Sequence, residues 1–190
     1  MKKIGILDIQ GSVEEHLAAL NKLDVEPVLV KTVEALKKVD ALIMPGGEST
    51  TMGKLLRRFE LRDVLIKRIE DGMPVWGTCA GAILLAKNIE GNQTADGLEV
   101  MDVTIERNSY GRQVESFETE IKFNGKNIPA VFIRAPRILK IGDGVEALSH
   151  EGEDIVAARE GNMFVTTFHP EMTEDLSVYE YFLDRCQSAF

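Results

Sequence analysis

The stretch that decides the fold reads Val75-Trp76-Gly77-Thr78-Cys79-Ala80-Gly81-Ala82-Ile83-Leu84-Leu85-Ala86. A short apolar run leads into a turn of small residues with one cysteine, and a helix-forming run follows. This order predicts that Cys79 lies on a tight strand-to-helix turn, where the free N–H groups of a helix N-terminus favour thiolate over thiol. Gly77 and Gly81 would leave room for a crowded backbone. The stretch has the shape of a nucleophile elbow with cysteine in place of serine. On this stretch alone, a buried cysteine that packs as a small hydrophobe is the commoner alternative.

Length and composition favour one folded domain over residues 1–190. The chain is 44% hydrophobic and 28% charged, close to the averages of globular proteins. Its net charge of −9 argues against a nucleic-acid partner. No apolar run has the length of a signal peptide core or a membrane span, so we expect no membrane association. The two cysteines, Cys79 and Cys186, show no metal or disulfide spacing, which predicts a reducing, cytoplasmic location and no metal.

Strand-like and helix-like runs alternate through the first half of the chain. The predicted strands cover residues 3–9, 27–30, 41–44 and 74–77, and the predicted helices cover 13–23, 32–38, 50–58 and 62–71. Ser12 is a plausible N-cap of the first helix. Alternation at this spacing is typical of right-handed βαβ crossovers and of a parallel sheet covered on both faces.

The second half changes to short strands separated by turns that contain Gly and Asn. These strands are predicted at 98–107, 114–123, 130–134, 139–141, 145–148, 155–159 and 163–168. They indicate hairpins and mixed strands added to the parallel core. An amphipathic helix over 176–187 follows, with Tyr179, Phe182, Leu183 and Cys186 on one stripe. We therefore expect an α/β fold: a three-layer sandwich whose central sheet is mostly parallel and flanked by helices, with antiparallel strands and hairpins in the second half.

A cysteine nucleophile needs a base to take and return protons, and only three histidines are available. His16 lies within a predicted helix beside two glutamates, which favours a solvated surface position. His150 lies in a polar stretch and is interpreted as a turn residue.

The third histidine is the candidate base, because His169 ends an apolar strand in the motif His-Pro-Glu. Pro170 forces His169 into an extended conformation, in which residues two apart point to the same side. His169 and Glu171 can therefore approach a common site at the carboxyl edge of the sheet, where active sites of open α/β sheets form. Cys79 would lie at the same edge. These positions supply a nucleophile, a base and a group that orients the base.

A glycine pair provides the remaining element of acyl-transfer chemistry. Gly46 and Gly47 follow the third predicted strand, with Ser49 or Thr50 as the N-cap of the next helix. Such a loop can turn backbone N–H groups outward as an anion-binding concavity, although the loop taken alone favours glycines that only make the turn. Beside a cysteine nucleophile, the N–H groups of Gly47 and Ala80 are the natural donors to an oxyanion.

Together these motifs resemble class I glutamine amidotransferase domains, whose Cys-His-Glu triad has this order along the chain. The resemblance is closest to the branch that forms the glutaminase subunit of pyridoxal 5′-phosphate synthase, and it covers essentially the whole chain. The motifs that carry it are Ile9-Gln10-Gly11, Pro45-Gly46-Gly47-Glu48-Ser49-Thr50-Thr51, Gly77-Thr78-Cys79-Ala80-Gly81, Glu106-Arg107-Asn108-Ser109-Tyr110-Gly111-Arg112-Gln113, Phe132-Ile133-Arg134-Ala135-Pro136 and Phe168-His169-Pro170-Glu171. The wider class shares His-Pro-Glu, whereas the runs 107–113 and 132–136 are specific to this branch.

The resemblance implies hydrolysis of L-glutamine to L-glutamate and ammonia through a thioester, without a cofactor. It also implies that the ammonia passes to a separate synthase subunit that makes pyridoxal 5′-phosphate. The implied glutamine-binding residues are Gly46, Gly47, Glu48, Arg107, Ile133 and Arg134. Arg107 or Arg134 suits the carboxylate of glutamine, and Glu48 suits its ammonium. The segment Gln10–Gly11 would lie near the contact that completes the oxyanion hole on docking, so we expect activity to depend on the partner.

Three other functions stay open at this stage. The chain could be the ammonia-donating subunit of another amidotransferase, serving for example histidine or purine biosynthesis, although the run 107–113 argues against it. It could be a cysteine hydrolase or protease of the same fold. It could also be an interaction or stress-response module that keeps the fold without catalysis.

Overall fold

The computed structural model describes residues 1–91, 96–107 and 116–187. The strands are β1 Lys3–Leu7, β2 Glu26–Val30, β3 Ala41–Met44, β4 Val75–Thr78, β5 Ala86–Glu90, β6 Met101–Glu106, β7 Ser116–Phe123, β8 Lys126–Ile133, β9 Arg137–Ile141, β10 Glu146–Glu151, β11 Asp154–Glu160 and β12 Met163–Thr166. The helices are α1 Val13–Leu20, α2 Val33–Leu36, α3 Ser49–Arg58, α4 Leu61–Glu70, α5 Ala80–Leu85 and α6 Ser177–Gln187, with a 3-10 turn at Pro170–Met172. Motif residues 108–113 and predicted strand residues 114 and 115 lie outside the described residues.

The central sheet combines a parallel half with an antiparallel half. Its strand order is β2-β1-β3-β4-β12-β11-β9-β6-β5, and β10 pairs with β11. The strands β2, β1, β3, β4 and β12 pair in parallel. The pairs β12–β11, β11–β9 and β9–β6 are antiparallel, whereas β5 and β6 pair in parallel. A separate antiparallel hairpin joins β7 to β8. The predicted change in character between the two halves is confirmed.

Alternate side chains of the central strands face two different hydrophobic cores, because successive residues of a strand point to opposite faces. In β3, Leu42 and Met44 pack into the core that contains residues of α2 to α5. Ala41 and Ile43 pack into the core formed with α1, α6 and the hairpin β7–β8. The predicted three-layer sandwich is therefore present. Within the described ranges, no helix combines the length and apolar character needed to cross a membrane.

Several local predictions were wrong, and three of them concern the course of the strands and helices. The helix-forming run extends to Ala86 in the sequence, but α5 ends at Leu85 and the chain enters β5 directly. A short apolar run does not by itself distinguish a buried helix from a strand, and no Gly or Pro marks this boundary. The helix α1 ends at Leu20, before a turn in which the N–H of Leu23 donates to the carbonyl of Leu20. His150 lies in β10 opposite Ile155 and not in a turn.

Candidate active site

The nucleophile turn, defined here as Gly77–Gly81, connects β4 to α5 at the carboxyl edge of the parallel strands. Cys79 has φ 48° and ψ −102°, a conformation that residues with a side chain rarely adopt. Its N–H donates to the carbonyl of Thr166 in the neighbouring strand β12 at 2.8 Å. Ala80 is the first residue of α5, so its N–H belongs to the helical turn that lacks intrahelical acceptors. The strand-to-helix turn predicted at Cys79 is confirmed.

Both glycines of the nucleophile turn are required by close packing of backbone on backbone. A Cβ atom at Gly77 would lie 2.5 Å from the carbonyl carbon of Gly81. A Cβ atom at Gly81 would lie 2.1 Å from the carbonyl oxygen of Met44 in β3. Only a hydrogen atom fits at these two positions, so the turn is locked against the sheet.

His169 and Glu171 lie at the same edge, just after β12. His169 Nδ1 is 2.7 Å from Glu171 Oε1, and both side chains are buried. The backbone N–H of His169 donates to the carbonyl of Val131 in β8 at 2.8 Å. The sequence predicted that an extended chain would bring these two side chains together. The structure achieves this contact through the 3-10 turn Pro170–Met172, which brings the carboxylate back to the imidazole.

Cys79 and His169 converge over Gly46. A Cβ atom at Gly46 would lie 2.6 Å from His169 Cε1 and 3.6 Å from Cys79 Cβ. Burial alone would lower the pKa of His169, but its contacts with Cys79 and Glu171 outweigh burial and raise that pKa to about 10. The geometry thus favours a charged imidazolium between the sulfur and the carboxylate.

Glu171 is buried, yet it is held in its ionised form. Burial alone would raise its pKa, whereas His16 and the hydrogen bond with His169 lower it to about 2. The hydroxyl of Ser12 also donates to Glu171 Oε1 at 2.8 Å. Ser12 was predicted to cap α1, but its side chain makes no capping hydrogen bond and serves the carboxylate instead.

The glycine loop, defined here as Pro45–Glu48, forms the opposite wall of the site. The N–H of Ser12 donates to the carbonyl of Gly46 at 3.0 Å. Gln10 Oε1 accepts from the N–H of Glu48 at 2.8 Å. Gly11 has φ 109°, and a Cβ atom there would lie 1.9 Å from the carbonyl oxygen of Gly46. The segment Gln10–Gly11 therefore packs directly on the glycine loop.

Glu48, and neither Ser49 nor Thr50, caps α3. Its carboxylate accepts from the N–H groups of Thr50 and Thr51 at 3.0 and 2.7 Å, because an extended Glu48 backbone lets the longer side chain fold back over the helix end. The hydrogen bond from the Thr51 hydroxyl is the largest cause that lowers the pKa of Glu48 to about 2. Arg107 Nη2 lies 3.4 Å from Glu48 Oε1, and Arg107 Nη1 lies 3.3 Å from Thr50 Oγ1. The carboxylate proposed for glutamine binding is therefore already engaged by the helix and by Arg107.

The nucleophile turn and the glycine loop enclose an open cavity of about 490 Å³, within the usual range for small-molecule sites. Every predicted site residue except Glu171 lines it: Gln10, Gly11, Gly46, Gly47, Glu48, Cys79, Ala80, Arg107, Ile133, Arg134 and His169. Glu171 does not line the cavity, but it contacts Nδ1 of His169. Arg134 is exposed and follows β8 with φ 42°. In the part of the chain that the structure describes, no group of His, Cys, Asp or Glu is arranged to hold a metal ion.

Sequence reasoning missed several residues that surround the site. Ser49, Ile83 and Met172 also line the cavity. His16 was interpreted as a surface residue, but it is fully buried. Val13, His16 and Leu20 form the inner stripe of α1, whereas the neighbouring glutamates point to solvent. The helical spacing of these three residues was the signal that could have placed His16 inside.

The parallel core, together with the cysteine turn at its carboxyl edge, defines a class I glutamine amidotransferase-like fold. The family model described as "SNO glutamine amidotransferase family" matches residues 6–188, and the chain belongs to this family. A solved structure described as "Crystal structure of glutamine amidotransferase" has a TM-score of 0.93 and 45% identity, covering 97% of this chain and 98% of that chain.

Curated relatives match over nearly the same length. "Pyridoxal 5'-phosphate synthase subunit PdxT" of Thermotoga sp. (strain RQ2) is 54% identical over 185 residues, which are 96% of this chain and 98% of the relative. The protein of the same name from Ruminiclostridium cellulolyticum is 51% identical over 188 residues, with 97% and 99% covered. The resemblance inferred from the motifs is thus confirmed at the level of the family.

Proposed function

We propose that this chain is the glutaminase subunit of a pyridoxal 5′-phosphate synthase. It hydrolyses L-glutamine to L-glutamate and ammonia and delivers the ammonia to a synthase subunit. The observation that carries the proposal is the convergence of Cys79, His169 and the candidate glutamine-binding residues on one cavity, with Glu171 behind His169. The names of the curated relatives support the assembly. We further propose one glutaminase domain over residues 1–190 and a cytoplasmic location, which suits two free cysteines.

The first half-reaction forms a thioester. The thiolate of Cys79 attacks the side-chain carboxamide carbon of glutamine, and the carbonyl oxygen becomes an oxyanion. The N–H groups of Gly47 and Ala80 stabilise that oxyanion, as preorganised donors do in acyl transfer. His169 gives its proton to the departing nitrogen, so ammonia leaves and a γ-glutamyl thioester remains on the sulfur. Glu171 keeps the imidazole oriented and stabilises its charged form.

The second half-reaction hydrolyses the thioester. The imidazole of His169 is now neutral and accepts a proton from water as the water oxygen attacks the thioester carbon. The same oxyanion donors serve again. Collapse of the tetrahedral intermediate breaks the C–S bond, releases glutamate and restores the Cys79 thiolate beside the imidazolium. The raised pKa of His169 suits this cycle, because the imidazolium holds the proton that the departing nitrogen takes up.

Glutamine is charged at both of its α-carbon groups, and the cavity offers partners for each. The guanidinium groups of Arg107 and Arg134 are the candidates for its α-carboxylate. Glu48 remains the candidate for its α-ammonium, and Arg107 already lies within 3.4 Å of that carboxylate. Ile133 adds an apolar surface at the same wall.

We propose that docking of the synthase subunit acts through Gln10–Gly11. This segment contacts the glycine loop through the Gln10 side chain and through Gly11 packed on Gly46. A partner that moves Gln10 would therefore move the N–H groups of the loop. Such coupling would restrain glutamine hydrolysis until an ammonia acceptor is present.

The other functions considered from the sequence are less well supported. Relatives at about half identity carry a pyridoxal 5′-phosphate synthase name, which disfavours a histidine or purine pathway subunit. The candidate glutamine residues that line the same cavity disfavour a protease. The contact between His169 and Glu171 disfavours a non-catalytic module.

The test is ammonia release from L-glutamine, measured with and without the synthase subunit, for wild type and Cys79→Ala. We expect hydrolysis by wild type in the complex, much slower hydrolysis by the free chain, and none above background with Cys79→Ala. Cys186→Ala is the matched control, because Cys186 is the other buried free cysteine and lies on α6 in the hydrophobic core, outside the cavity. It should leave the rate near that of wild type.

Two results would contradict the proposal. Glutamine that stays intact in the complex would refute the glutaminase function. Equal rates for the free chain and the complex would refute the dependence on the partner while leaving the chemistry in place. Trapping of a glutamyl adduct on Cys79, detected by mass spectrometry, would identify the nucleophile directly.

A further inference from the structure

A second histidine lies directly behind the proposed triad. The His16 side chain is completely buried, with Nδ1 2.7 Å from the hydroxyl of Tyr179 and Nε2 3.3 Å from Thr78 Oγ1. The same Nε2 faces Glu171 Oε2 at 3.7 Å. These contacts join α1, β4, α6 and the turn after β12 at one point, and none of them takes part in the mechanism described above.

The surroundings make this arrangement costly unless it has partners. His16 packs edge-on to Trp76, with ring centroids 5.8 Å apart, inside the core shared by α1 and α6. A polar group that is buried without a hydrogen-bond partner destabilises the folded protein. An apolar residue would fill this position on the inner stripe of α1 at lower cost. The polar contacts of His16 are therefore the feature to explain.

The protonation state of His16 follows from its neighbours. Burial lowers its pKa despite the opposing pull of Glu171, so the ring is neutral and carries a single N–H. Burial also raises the pKa of Tyr179, so its hydroxyl keeps its proton. A ring nitrogen that faces a carboxylate is favoured as the protonated one, which places the proton on Nε2. Tyr179 then donates to Nδ1 and fixes this tautomer.

We propose that His16 is a positioning residue that holds Glu171 for His169. This inference rests on the proposed glutaminase function. At 3.7 Å the contact with Glu171 Oε2 is longer than a hydrogen bond, so it acts as a charge–dipole attraction while Nε2–H donates to Thr78. Among the described residues, Oε2 has no hydrogen-bond partner, and this attraction is what holds it. With Oε2 held there, Oε1 stays on His169 Nδ1.

The helix α1 restrains both oxygens of the carboxylate. Ser12 donates to Oε1, and His16, one helical turn later, faces Oε2. Thr78 immediately precedes Cys79, so the same imidazole also links the carboxylate to the nucleophile turn. Because Gln10–Gly11 leads directly into α1, a displacement of this segment would reach Glu171 through the same helix.

The experiment compares His16→Leu with His16→Gln. Leucine removes the donor, whereas the amide nitrogen of glutamine can occupy the place of Nε2. Two readouts are used: kcat and KM for glutamine in the complex with the synthase subunit, and the pH dependence of Cys79 alkylation by iodoacetamide in the free chain, followed on the Cys79 peptide by mass spectrometry. The second readout requires no glutaminase activity.

For His16→Leu we expect kcat to fall on the order of 10-fold to 100-fold at nearly constant KM, as for other groups that orient an imidazole from outside the reaction. The alkylation profile should also shift, because a displaced Glu171 no longer raises the pKa of His169. His16→Gln should restore most of kcat and most of the wild-type alkylation profile.

The titratable or polar groups that face His16 come from three elements and from the turn after β12. They are Glu171 and His169, Tyr179 from α6, Thr78 from β4 and Glu15 on its own helix.

Tyr179→Phe distinguishes a positioning role of His16 from a role in the stability of the fold. It keeps the aromatic ring in the core and removes only the hydroxyl that fixes the tautomer of His16. We expect a smaller fall in kcat and the same direction of shift in the alkylation profile. His150→Gln is the control, because His150 is exposed on β10 and should change neither readout.

Two results would overturn the inference, and a third would refute the proposed function instead. A folded His16→Leu variant with wild-type kcat and an unshifted alkylation profile overturns the inference. So does a His16→Gln variant that stays as impaired as His16→Leu while Tyr179→Phe behaves as wild type. Failure of wild type to hydrolyse glutamine would instead refute the proposed function, and the alkylation profile would still decide whether His16 positions the triad.

Discussion

The nucleophile turn and the glycine loop form two walls of the same cavity, yet they are held by different parts of the chain. In the nucleophile turn, backbone meets backbone: Cys79 donates to Thr166, and Gly81 packs against Met44. These contacts are part of the sheet itself and cannot shift without disturbing β3, β4 and β12.

The glycine loop is held by the neighbouring residues 10–12, which lie outside the sheet, and by side chains. The backbones of Gly11 and Ser12 contact Gly46. Gln10 accepts from Glu48, and the Glu48 side chain, which caps α3, is half exposed. The comparison teaches that the fold fixes the nucleophile turn, whereas the glycine loop, which carries one of the proposed oxyanion donors, is tied to the segment Gln10–Gly11 outside the sheet. If activity depends on the synthase subunit, the part of the site that changes on docking is expected to be the second wall, the glycine loop.

The most severe way to break the first wall is Gly81→Ala. The added Cβ atom would lie 2.1 Å from the Met44 carbonyl oxygen, and backbone on both sides leaves no flexible group to yield. We expect the loss of glutamine hydrolysis and a fall in melting temperature of several degrees or more. Circular dichroism and the ammonia assay measure the two effects.

Gly144→Ala is the matched control for this substitution. The nearest atom to its Cβ would be Glu160 Oε1 at 3.8 Å, which is an ordinary contact. It should melt near wild type and keep full activity. If Gly81→Ala were equally stable and active, the nucleophile turn would not be rigid and the contrast with the glycine loop would fail.

Glu171→Gln tests the charge that holds His169 opposite Cys79 of the first wall. The amide keeps the size of the side chain but no longer stabilises the imidazolium, so the pKa of His169 should fall from its raised value. Replacing the matching carboxylate of a catalytic triad costs up to about 10⁴ in kcat, and we expect a loss on the order of 10²–10⁴. In the pH profile of Cys79 alkylation, the transition that reports deprotonation of His169 should move to lower pH.

The same variant should change stability in acid. Folding lowers the pKa of Glu171 from 4.5 to about 2, so its contribution to stability is present above pH 4.5 and is lost as the pH falls toward 2. Glu171→Gln has no such group, and its melting temperature should fall less between pH 5 and pH 3 than that of wild type. Parallel acid curves for the two proteins would show that Glu171 is not held in its ionised form.

Much of this arrangement could be predicted, because it depends on local rules. The apolar run, the small turn and the helix around Cys79 follow one another in the sequence, and a parallel sheet brings the ends of β4 and β12 to one edge. The contact between His169 and Glu171 was predicted from their spacing of two in an extended chain, whereas the 3-10 turn Pro170–Met172 is what forms it. The glycines on each side of Cys79 indicated a crowded backbone, and the packing distances agree.

The rest depends on tertiary contacts that single positions do not reveal. Ser12 was interpreted as a cap because Ser before a helix usually is one, but Glu171 competes for the same hydroxyl. Two acidic neighbours suggested an exposed His16, whereas the apolar stripe of α1 decides the matter. The strand β5 follows α5 without a turn signal, so its start could not be located from the sequence.

Glu48→Gln has the smallest expected effect and tests the second wall. Glutamine keeps one carbonyl oxygen that can cap α3, so the loss of stability should be no more than about 1 kcal/mol. The missing charge should raise KM for glutamine several-fold if Glu48 binds the α-ammonium, with kcat little changed. Because Glu48 has a pKa of about 2, the effect on KM should be the same throughout neutral pH.

The control for this variant is Glu34→Gln, which removes an exposed acidic residue from the first turn of α2, outside the cavity. An unchanged KM in Glu48→Gln, together with a lower melting temperature, would mean that Glu48 only caps α3 and positions Arg107. A raised KM together with a large fall in kcat would mean that the charge also shapes the oxyanion donors. The glycine loop would then be held as rigidly as the nucleophile turn. A dependence of activity on the synthase subunit would have to arise elsewhere in the molecule.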